Sequence, residues 1–281
     1  MRQSSTPGTM GRRNRRLNDM SYLLAFDIET IPDTETGRKL LDLEGLDDAD
    51  VAQAMFHLRN QQKGSDFLQH QLHRIAAISI ALRTPDEFKL LSLGEESSTE
   101  KELVDLFFKG VQKYSPILVS WNGSGFDFPV LHYRALKYGI TARRYWETGD
   151  GDTSFRWNNY FNRYHWRHVD LMDVLSGYER GARAPLEHIA LMLGLPGKMG
   201  MHGSKVWGAY KAGEIGKIRA YCETDTLNTY LIYQRFELMR GNLTAQSYAR
   251  ECEQVRQYLE SSDRPHLQKY LQKWSHDSPG D

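Results

Sequence analysis

Two acidic residues near the N-terminal end of the chain could together hold a divalent cation. Asp27 and Glu29 stand two positions apart in Asp27-Ile28-Glu29-Thr30. At the end of a strand, both carboxylates point to one face and Ile28 points to the other. Mg²⁺ and Mn²⁺ accept such oxygen ligands, and burying the pair without a cation would be costly. Two solvated acids would give the same pattern, so this motif alone leaves both interpretations open.

A second motif combines a tight turn with an acidic residue. The segment from Trp121 to Asp127 contains Gly123 and Gly125, which let the backbone turn sharply and approach a ligand closely. Asp127 falls where a helix is predicted to begin. An aspartate at that position can cap the helix or contact a metal ion, and the two roles are compatible.

A third motif places a tyrosine and an acidic residue on one helical face. Tyr221 and Asp225 are four residues apart in Tyr221-Cys222-Glu223-Thr224-Asp225, so a helix brings them to the same side. A buried tyrosine usually belongs to the core and forms a hydrogen bond through its hydroxyl. Taken alone, this motif is also ambiguous.

The three motifs, in this order, resemble those of the DEDD superfamily of 3′–5′ exonucleases. The matching residues are Asp27 and Glu29 of the DxE motif, Asn122, Phe126 and Asp127 of the Nx3FD motif, and Tyr221 and Asp225 of the Yx3D motif. The histidine-bearing branch has a histidine five positions before the last aspartate, where this chain has Ala220. The resemblance is therefore to the tyrosine-bearing (DEDDy) branch. Over about residues 22–235 the chain resembles the proofreading domain of family B DNA polymerases and stand-alone bacterial proteins similar to that domain.

The resemblance implies phosphodiester hydrolysis with two Mg²⁺ or Mn²⁺ ions. Asp27 would bridge both ions, and Glu29 and Asp225 would complete the first site. Asp127 would hold the second ion, partly through water. Tyr221, with an ordinary pKa near 10, would be a poor general base and would instead orient the attacking water.

The resemblance also implies single-stranded nucleic acid as the substrate, with DNA favoured over RNA. Trimming of RNA 3′ ends is one alternative, because no residue that reads a 2′-hydroxyl can be identified from the sequence. A catalytically inactive nucleic-acid-binding scaffold on the same fold is another, although the presence of every motif side chain argues against it. The expected substrate contacts are Thr30, Asn122, Phe126 and Lys205.

Two basic stretches could contact the nucleic acid. Residues 131–168 hold ten aromatic residues and seven lysines or arginines against three acids. Aromatic faces interleaved with cations bind single strands, and packing onto the core is the alternative. The expected phosphate contacts there are Arg143, Arg144 and Arg163. Residues 198–219 form the second stretch, in which Lys205 and His202 are the first candidates and a solvated turn is the alternative.

The order of the predicted elements is typical of an α/β fold. Buried apolar runs predict strands at 22–26, 75–82, 88–93 and 117–121, and the turn Thr84-Pro85-Asp86 predicts a hairpin. Helical spacing predicts helices at 99–111, from residue 127, and through most of the chain from residue 169. Together with the resemblance, this order predicts an RNase H-like mixed five-stranded sheet flanked by helices.

Three parts of the chain are expected. Residues 1–19 are a basic tail with too little apolar surface to fold, and residues 20–240 are the exonuclease domain with a polar insertion at 33–72. Residues 241–281 form a helical C-terminal extension.

Charge and cysteine content exclude several classes. The 36 Lys and Arg balance the 36 Asp and Glu among 281 residues, so no overall positive field demands nucleic acid. Cys222 and Cys252 form no CxxC pair, which argues against a disulfide framework and a zinc site. No apolar run approaches the roughly 18 residues of a membrane span. We expect a cytoplasmic protein, of an oligomeric state that the sequence leaves open.

Overall fold

A mixed five-stranded sheet forms the centre of the protein. The structure is a computed structural model that describes residues 22–274. The strand order is β3-β2-β1-β4-β5, with β2 antiparallel to β1 and β3, and β4 parallel to β1 and β5. The predicted mixed sheet is confirmed. Its strands are β1 Leu23–Pro32, β2 His73–Arg83, β3 Phe88–Ser92, β4 Ile117–Ser120 and β5 His168–Asp170.

Ten α-helices accompany the sheet within residues 22–274. They are α1 Thr34–Leu40, α2 Asp48–Lys63, α3 Glu100–Tyr114, α4 Asp127–Tyr138, α5 Leu171–Leu175, α6 Leu186–Met192, α7 Val206–Lys211, α8 Ile215–Met239, α9 Ala245–Glu260 and α10 Pro265–Lys273. The predicted insertion at 33–72 contains α1 and α2. Across this described part of the chain, no helix combines the length and apolar character needed to cross a bilayer. The predicted tail, residues 1–19, lies outside the described residues.

Strand β1 is buried because helices cover both faces of the sheet. On one face, Phe26 packs against Phe107 of α3 and Phe128 of α4, with ring centroids 5.0 and 5.2 Å away. On the other face, Ala25 shares a core cluster with Leu227 of α8. Side chains of a strand alternate between faces, so the odd-numbered residues that follow Ala25 point towards α8.

The C-terminal helices α9 and α10 pack into the same core as α8. Leu259 of α9 and Tyr270 of α10 join the cluster that contains Leu227. Glu223 of α8 is buried and accepts a hydrogen bond of 2.8 Å from Arg264. The predicted boundary near residue 240 stays a prediction, although residues on both sides of it contribute to one core.

A buried arginine joins α4 to the end of β1 and to the start of α3. Arg134 of α4 donates to Asp33, just after β1, and to Glu100, the first residue of α3, at 2.5 Å each. All three side chains are at most 3% exposed. Glu100 also accepts the backbone N–H of Ile75 in β2 at 2.6 Å. This network fixes the position of α4, whose first residue is Asp127.

Replacing Arg134 with leucine should destabilise the fold strongly. The substitution leaves Asp33 and Glu100 buried without their cation, which costs about 3–5 kcal/mol of the free energy of unfolding. Urea unfolding of Arg134→Leu and of the exposed control Arg143→Leu measures the difference. The control should stay within about 0.5 kcal/mol of the wild type. Equal losses in the two variants would contradict the structural role of the network.

Candidate active site

Three carboxylates from two elements meet beside the sheet. Asp27 and Glu29 lie on the α8 face of β1, and Asp225 lies on α8, which packs across that face. One carboxylate oxygen from each residue lies within 4.8 Å of the other two. Glu29 and Asp225 are buried, and Asp27 is partly buried. A strand end and a helix thus bring together residues that are almost 200 positions apart in the sequence.

An irregularity in the pairing of β1 and β2 follows directly after Glu29. Glu29 pairs with Ala77, but Thr30 pairs with Ile75, so Ala76 is the extra residue of a β-bulge. Bulges bend a strand and redirect its side chains. Thr30 lies on the face opposite the carboxylates, where its Oγ1 is 2.8 Å from Nδ1 of His73. Its expected contact with substrate stays a prediction.

The fourth acidic residue, Asp127, is the first residue of α4. Phe126 occupies the N-cap position, so Asp127 is not the cap of this helix. Asp127 is 4% exposed, and burial raises its pKa to about 7. It is not part of the group within 4.8 Å, but its charge contributes to raising the pKa of Asp27 and Glu29. The site therefore holds four electrostatically coupled carboxyl groups.

The loop that carries Asn122 and Phe126 is held by Asp170 at the end of β5. The two carboxylate oxygens of Asp170 accept the backbone N–H groups of Asn122 and Ser124, both at 2.9 Å. Asn122 has a φ of 64°, and a Cβ on Gly125 would lie 2.4 Å from its Oδ1. A side chain at position 125 would therefore force the Asn122 side chain to move. None of the three sequence motifs includes Asp170, so this role was not predicted.

The four carboxyl groups repel one another in a buried setting. Burial, and then the neighbouring carboxylates, raise the pKa of Asp27 and Glu29 well above the ordinary range. Burial also raises the pKa of Asp225 to about 6, opposed by the Tyr221 hydroxyl and by the charge of Lys198. Within residues 22–274, Oδ1 of Asp225 is buried and has no hydrogen-bond partner. Uncompensated carboxylate oxygens of this kind fit the ligand preference of Mg²⁺ or Mn²⁺.

Tyr221 stands one helical turn before Asp225 and faces the same carboxylates. Burial and the charges of Asp225, Glu29 and Asp27 raise the pKa of its phenol. The hydroxyl therefore stays protonated at neutral pH and can donate a hydrogen bond. Cys222, the next residue, donates its thiol to the backbone oxygen of Asp27 at 3.3 Å.

Lys198 is a site residue that the sequence reasoning did not single out. Its charge lowers the pKa of both Glu29 and Asp225, and its Nζ lies 5.7 Å from the ring centroid of Tyr221. Lys205, the predicted contact, is exposed in a 3₁₀ turn at Gly203–Lys205, and its role stays a prediction. The predicted basic stretch includes both lysines, but only the folded loop distinguishes them.

The aromatic stretch at 131–168 divides into a buried and an exposed part. Tyr145, Phe155 and Tyr160 belong to the core, as the packing interpretation predicts. Arg144 pairs with Asp152, and Arg163 pairs with Asp173, whereas Arg143 is exposed. The aromatic side chains that remain exposed are Tyr133, Trp146, Trp157, Phe161, Tyr164 and Trp166.

Comparisons with known proteins identify relatives of this chain. Residues 65–274 match a family described as predicted 3′–5′ exonucleases related to the exonuclease domain of PolB, a segment that begins after Asp27 and Glu29. A DNA polymerase from Archaeoglobus fulgidus is 26% identical over 170 residues, which cover 59% of this chain and 21% of the polymerase. The family B DNA polymerase structure from Pyrobaculum calidifontis aligns with a TM-score of 0.47 and 15% identity, over 85% of this chain and 28% of that one. This chain spans less than a third of both polymerases. The family match confirms the predicted kinship.

Mg²⁺ should stabilise the protein more at pH 8 than at pH 5.5. In the folded protein, the pKa of Asp127 is raised to about 7 and that of Asp225 to about 6. Their contribution to the stability of the fold is therefore fully present only below the ordinary pKa of an aspartate, near 3.9. That contribution is lost as the pH rises through 6 and 7, because buried carboxylates then ionise. A divalent cation compensates the resulting charge. To check this expectation, the unfolding midpoint is measured in Mg²⁺ and in EDTA at both pH values. The difference between the two midpoints should be larger at pH 8.

The variant Asp225→Asn is the matched control for this pH dependence. It removes one ionisable carboxyl group from the cluster, so the gain in midpoint from Mg²⁺ should be smaller and should change less with pH. Equal stabilisation of the wild type at pH 5.5 and pH 8 would contradict the coupling between proton loss and metal binding.

Proposed function

Because the chain belongs to the family of predicted 3′–5′ exonucleases related to the exonuclease domain of PolB, we propose that it removes nucleotides from the 3′ end of single-stranded DNA in a metal-dependent reaction. The observation that carries this proposal is the convergence of Asp27, Glu29 and Asp225 within 4.8 Å. Asp127 adds a fourth carboxyl group, whose charge contributes to raising the pKa of Asp27 and Glu29. Phosphodiester hydrolysis is a reaction for which such a group of acids is suited.

The carboxylates would hold two divalent ions, Mg²⁺ or Mn²⁺. When bound, such ions supply positive charge that lowers the pKa of water and stabilises the departing 3′ oxygen. Asp27, whose pKa is raised by burial and by the charges of the other three acids, would be shared between the two ions. Glu29 and Asp225 would complete one site, and Asp127 would serve the other. The unpartnered Oδ1 of Asp225 supports its assignment as a ligand.

Tyr221 would orient the attacking water rather than remove its proton. Its raised pKa keeps the hydroxyl protonated, and a protonated hydroxyl can hold a water by hydrogen bonding. Lys198, beside the Tyr221 ring, carries a positive charge next to Glu29 and Asp225. That charge would help to retain a phosphate close to the carboxylates.

The single-stranded substrate would enter past the loop that carries Asn122 and Phe126. Both residues, with Thr30, lie within a few positions of the acidic residues, and Lys205 would contact the strand farther out. Exposed aromatic side chains at 131–168 offer sequence-tolerant stacking surfaces for a single strand. We propose DNA as the substrate, and the cleavage experiment below also tests RNA.

Cleavage of end-labelled oligonucleotides tests the proposed activity. A 5′-labelled DNA strand with Mg²⁺ or Mn²⁺ should give a descending ladder, and EDTA should abolish it. Circular single-stranded DNA should resist, because it offers no 3′ end. Cleavage of an RNA strand of the same sequence measures the preference for deoxyribose over ribose. Rapid cutting of the circle, or cleavage that persists in EDTA, would contradict a metal-dependent exonuclease.

Two substitutions separate metal binding from orientation of the water. Asp225→Asn should weaken metal affinity and turnover together. Tyr221→Phe keeps the ring but deletes the hydroxyl, so metal affinity should persist while the rate falls about 10- to 1000-fold, at about 1.4 kcal/mol per tenfold. Metal titrations of single-turnover cleavage measure both parameters. The control Tyr210→Phe deletes a hydroxyl from a ring stacked on Trp207 and should cleave at the wild-type rate. Wild-type cleavage by Tyr221→Phe would make that residue a core tyrosine.

A further inference from the structure

An exposed phenylalanine from the insertion lies against the loop of the candidate active site. Phe67, between α2 and β2, is 52% exposed. Its ring centroid is 5.3 Å from that of Phe126, and the two rings are inclined at 56°. Phe126 is partly buried and immediately precedes Asp127. The two rings therefore form a continuous aromatic surface at the start of α4, where Asp127 directly follows Phe126.

The backbone at Phe67 is fixed although its ring is exposed. Arg59 of α2 donates from Nε to the carbonyl oxygen of Phe67 at 2.8 Å, and the N–H of Phe67 donates to Ser65 at 3.2 Å. The next residue, Leu68, is buried against Met55 of α2. Burying a phenylalanine ring is favourable, so an exposed ring on an anchored backbone is not explained by stability.

Contacts on both sides connect the pair of rings to the candidate active site. The ring of His73 lies 5.3 Å from that of Phe67 and 5.0 Å from that of Phe126. His73 is hydrogen-bonded to Thr30, the neighbour of Glu29. His70 is hydrogen-bonded to the carbonyl oxygen of Gly125 at 2.9 Å. The surface is thus attached to both the first and the second motif.

The chemistry of this surface suits a nucleobase better than a phosphate. Burial lowers the pKa of His73 to about 4, so its ring is neutral at physiological pH. Both phenylalanine rings are uncharged and offer no hydrogen-bond donor to a phosphate. An aromatic face accepts any base by stacking, which agrees with an exonuclease that removes successive nucleotides of any sequence.

We propose that Phe67 and Phe126 form a stacking subsite for a nucleobase near the 3′ end of the single-stranded substrate. This inference rests on the proposed exonuclease function and adds Phe67, from the insertion, to the residues that bind the strand. The occupant is a base, and a protein segment seated on the same rings is an outcome that the test distinguishes.

Binding of DNA in the presence of EDTA tests the subsite without cleavage. A 5′-fluorescein oligo(dT) and versions with one abasic residue at each of the last four positions are titrated with protein, and anisotropy gives the Kd. Phe67→Ala should weaken binding of the intact strand about 10- to 100-fold. The abasic residue at the stacked position should weaken wild-type binding similarly. For the strand that lacks this base, and for no other abasic strand, Phe67→Ala should have the same Kd as the wild type. The reason is that the base on which Phe67 would stack is absent.

Matched variants keep the test specific. Phe67→Trp should bind the intact strand like the wild type, because it retains an aromatic face. Leu136→Ala truncates a 79% exposed apolar residue of α4 and should leave the Kd unchanged. Unfolding midpoints and circular dichroism verify that Phe67→Ala is folded.

Two results would overturn the inference and leave the proposed function intact. One is wild-type affinity of Phe67→Ala for the intact strand, which is also the result expected if the rings serve a protein partner. The other is that Phe67→Ala loses the same affinity for each abasic strand, whichever position lacks its base. That result indicates a general effect on the fold. Failure of the wild type to bind or cleave single-stranded DNA would instead contradict the proposed function itself.

Discussion

The mutual repulsion of four carboxyl groups in a buried setting is the constraint on which the rest of the structure depends. Most of the other buried acids in the described part of the chain have positive partners: Asp33 and Glu100 share Arg134, Asp173 has two arginines, and Glu223 has Arg264. Asp170 instead accepts two backbone N–H groups. Asp27, Glu29, Asp127 and Asp225 form no such ion pair within residues 22–274, and burial raises the pKa of each. A fold that gives its other buried acids ion pairs or backbone hydrogen bonds, but gives these four no ion pair, fits the proposed binding of a cation.

Holding such a group together requires a scaffold that resists the repulsion. Several of the other buried acids serve this purpose, because they anchor elements of the site. The Arg134 network holds α4, which begins with Asp127, and Glu223 links α8 to α10 two residues before Asp225. Asp170 holds the loop before α4 through two backbone N–H groups. The stabilising ion pairs and the repelling carboxylates are therefore two parts of one arrangement.

The sequence predicted what depends on local geometry. Asp27 and Glu29 share a face because a strand alternates, Tyr221 and Asp225 share a face because they are one helical turn apart, and the apolar runs fell on the strands of the sheet. What escaped prediction depends on long-range packing. Lys198 lies in a loop without periodicity, and its proximity to Asp225 follows from the folded path of that loop. Phe67 belongs to a polar insertion whose attachment to the second motif could not be read from residue spacing.

The surroundings of the candidate active site are built by segments that carry none of the three motifs. Tyr270 of α10 donates to Asn228 of α8 at 2.6 Å, and Asn228 donates to the carbonyl oxygen of Gly197 at 3.2 Å, directly before Lys198. The insertion likewise supports the second motif through the contact between His70 and Gly125. Buried hydrogen bonds of this kind cost free energy when one partner is lost, so they fix the loop rather than merely touch it. The motifs can place the acids, but the position of the lysine beside them depends on the C-terminal helices. The candidate active site therefore depends on more of the chain than the segments that carry the motifs.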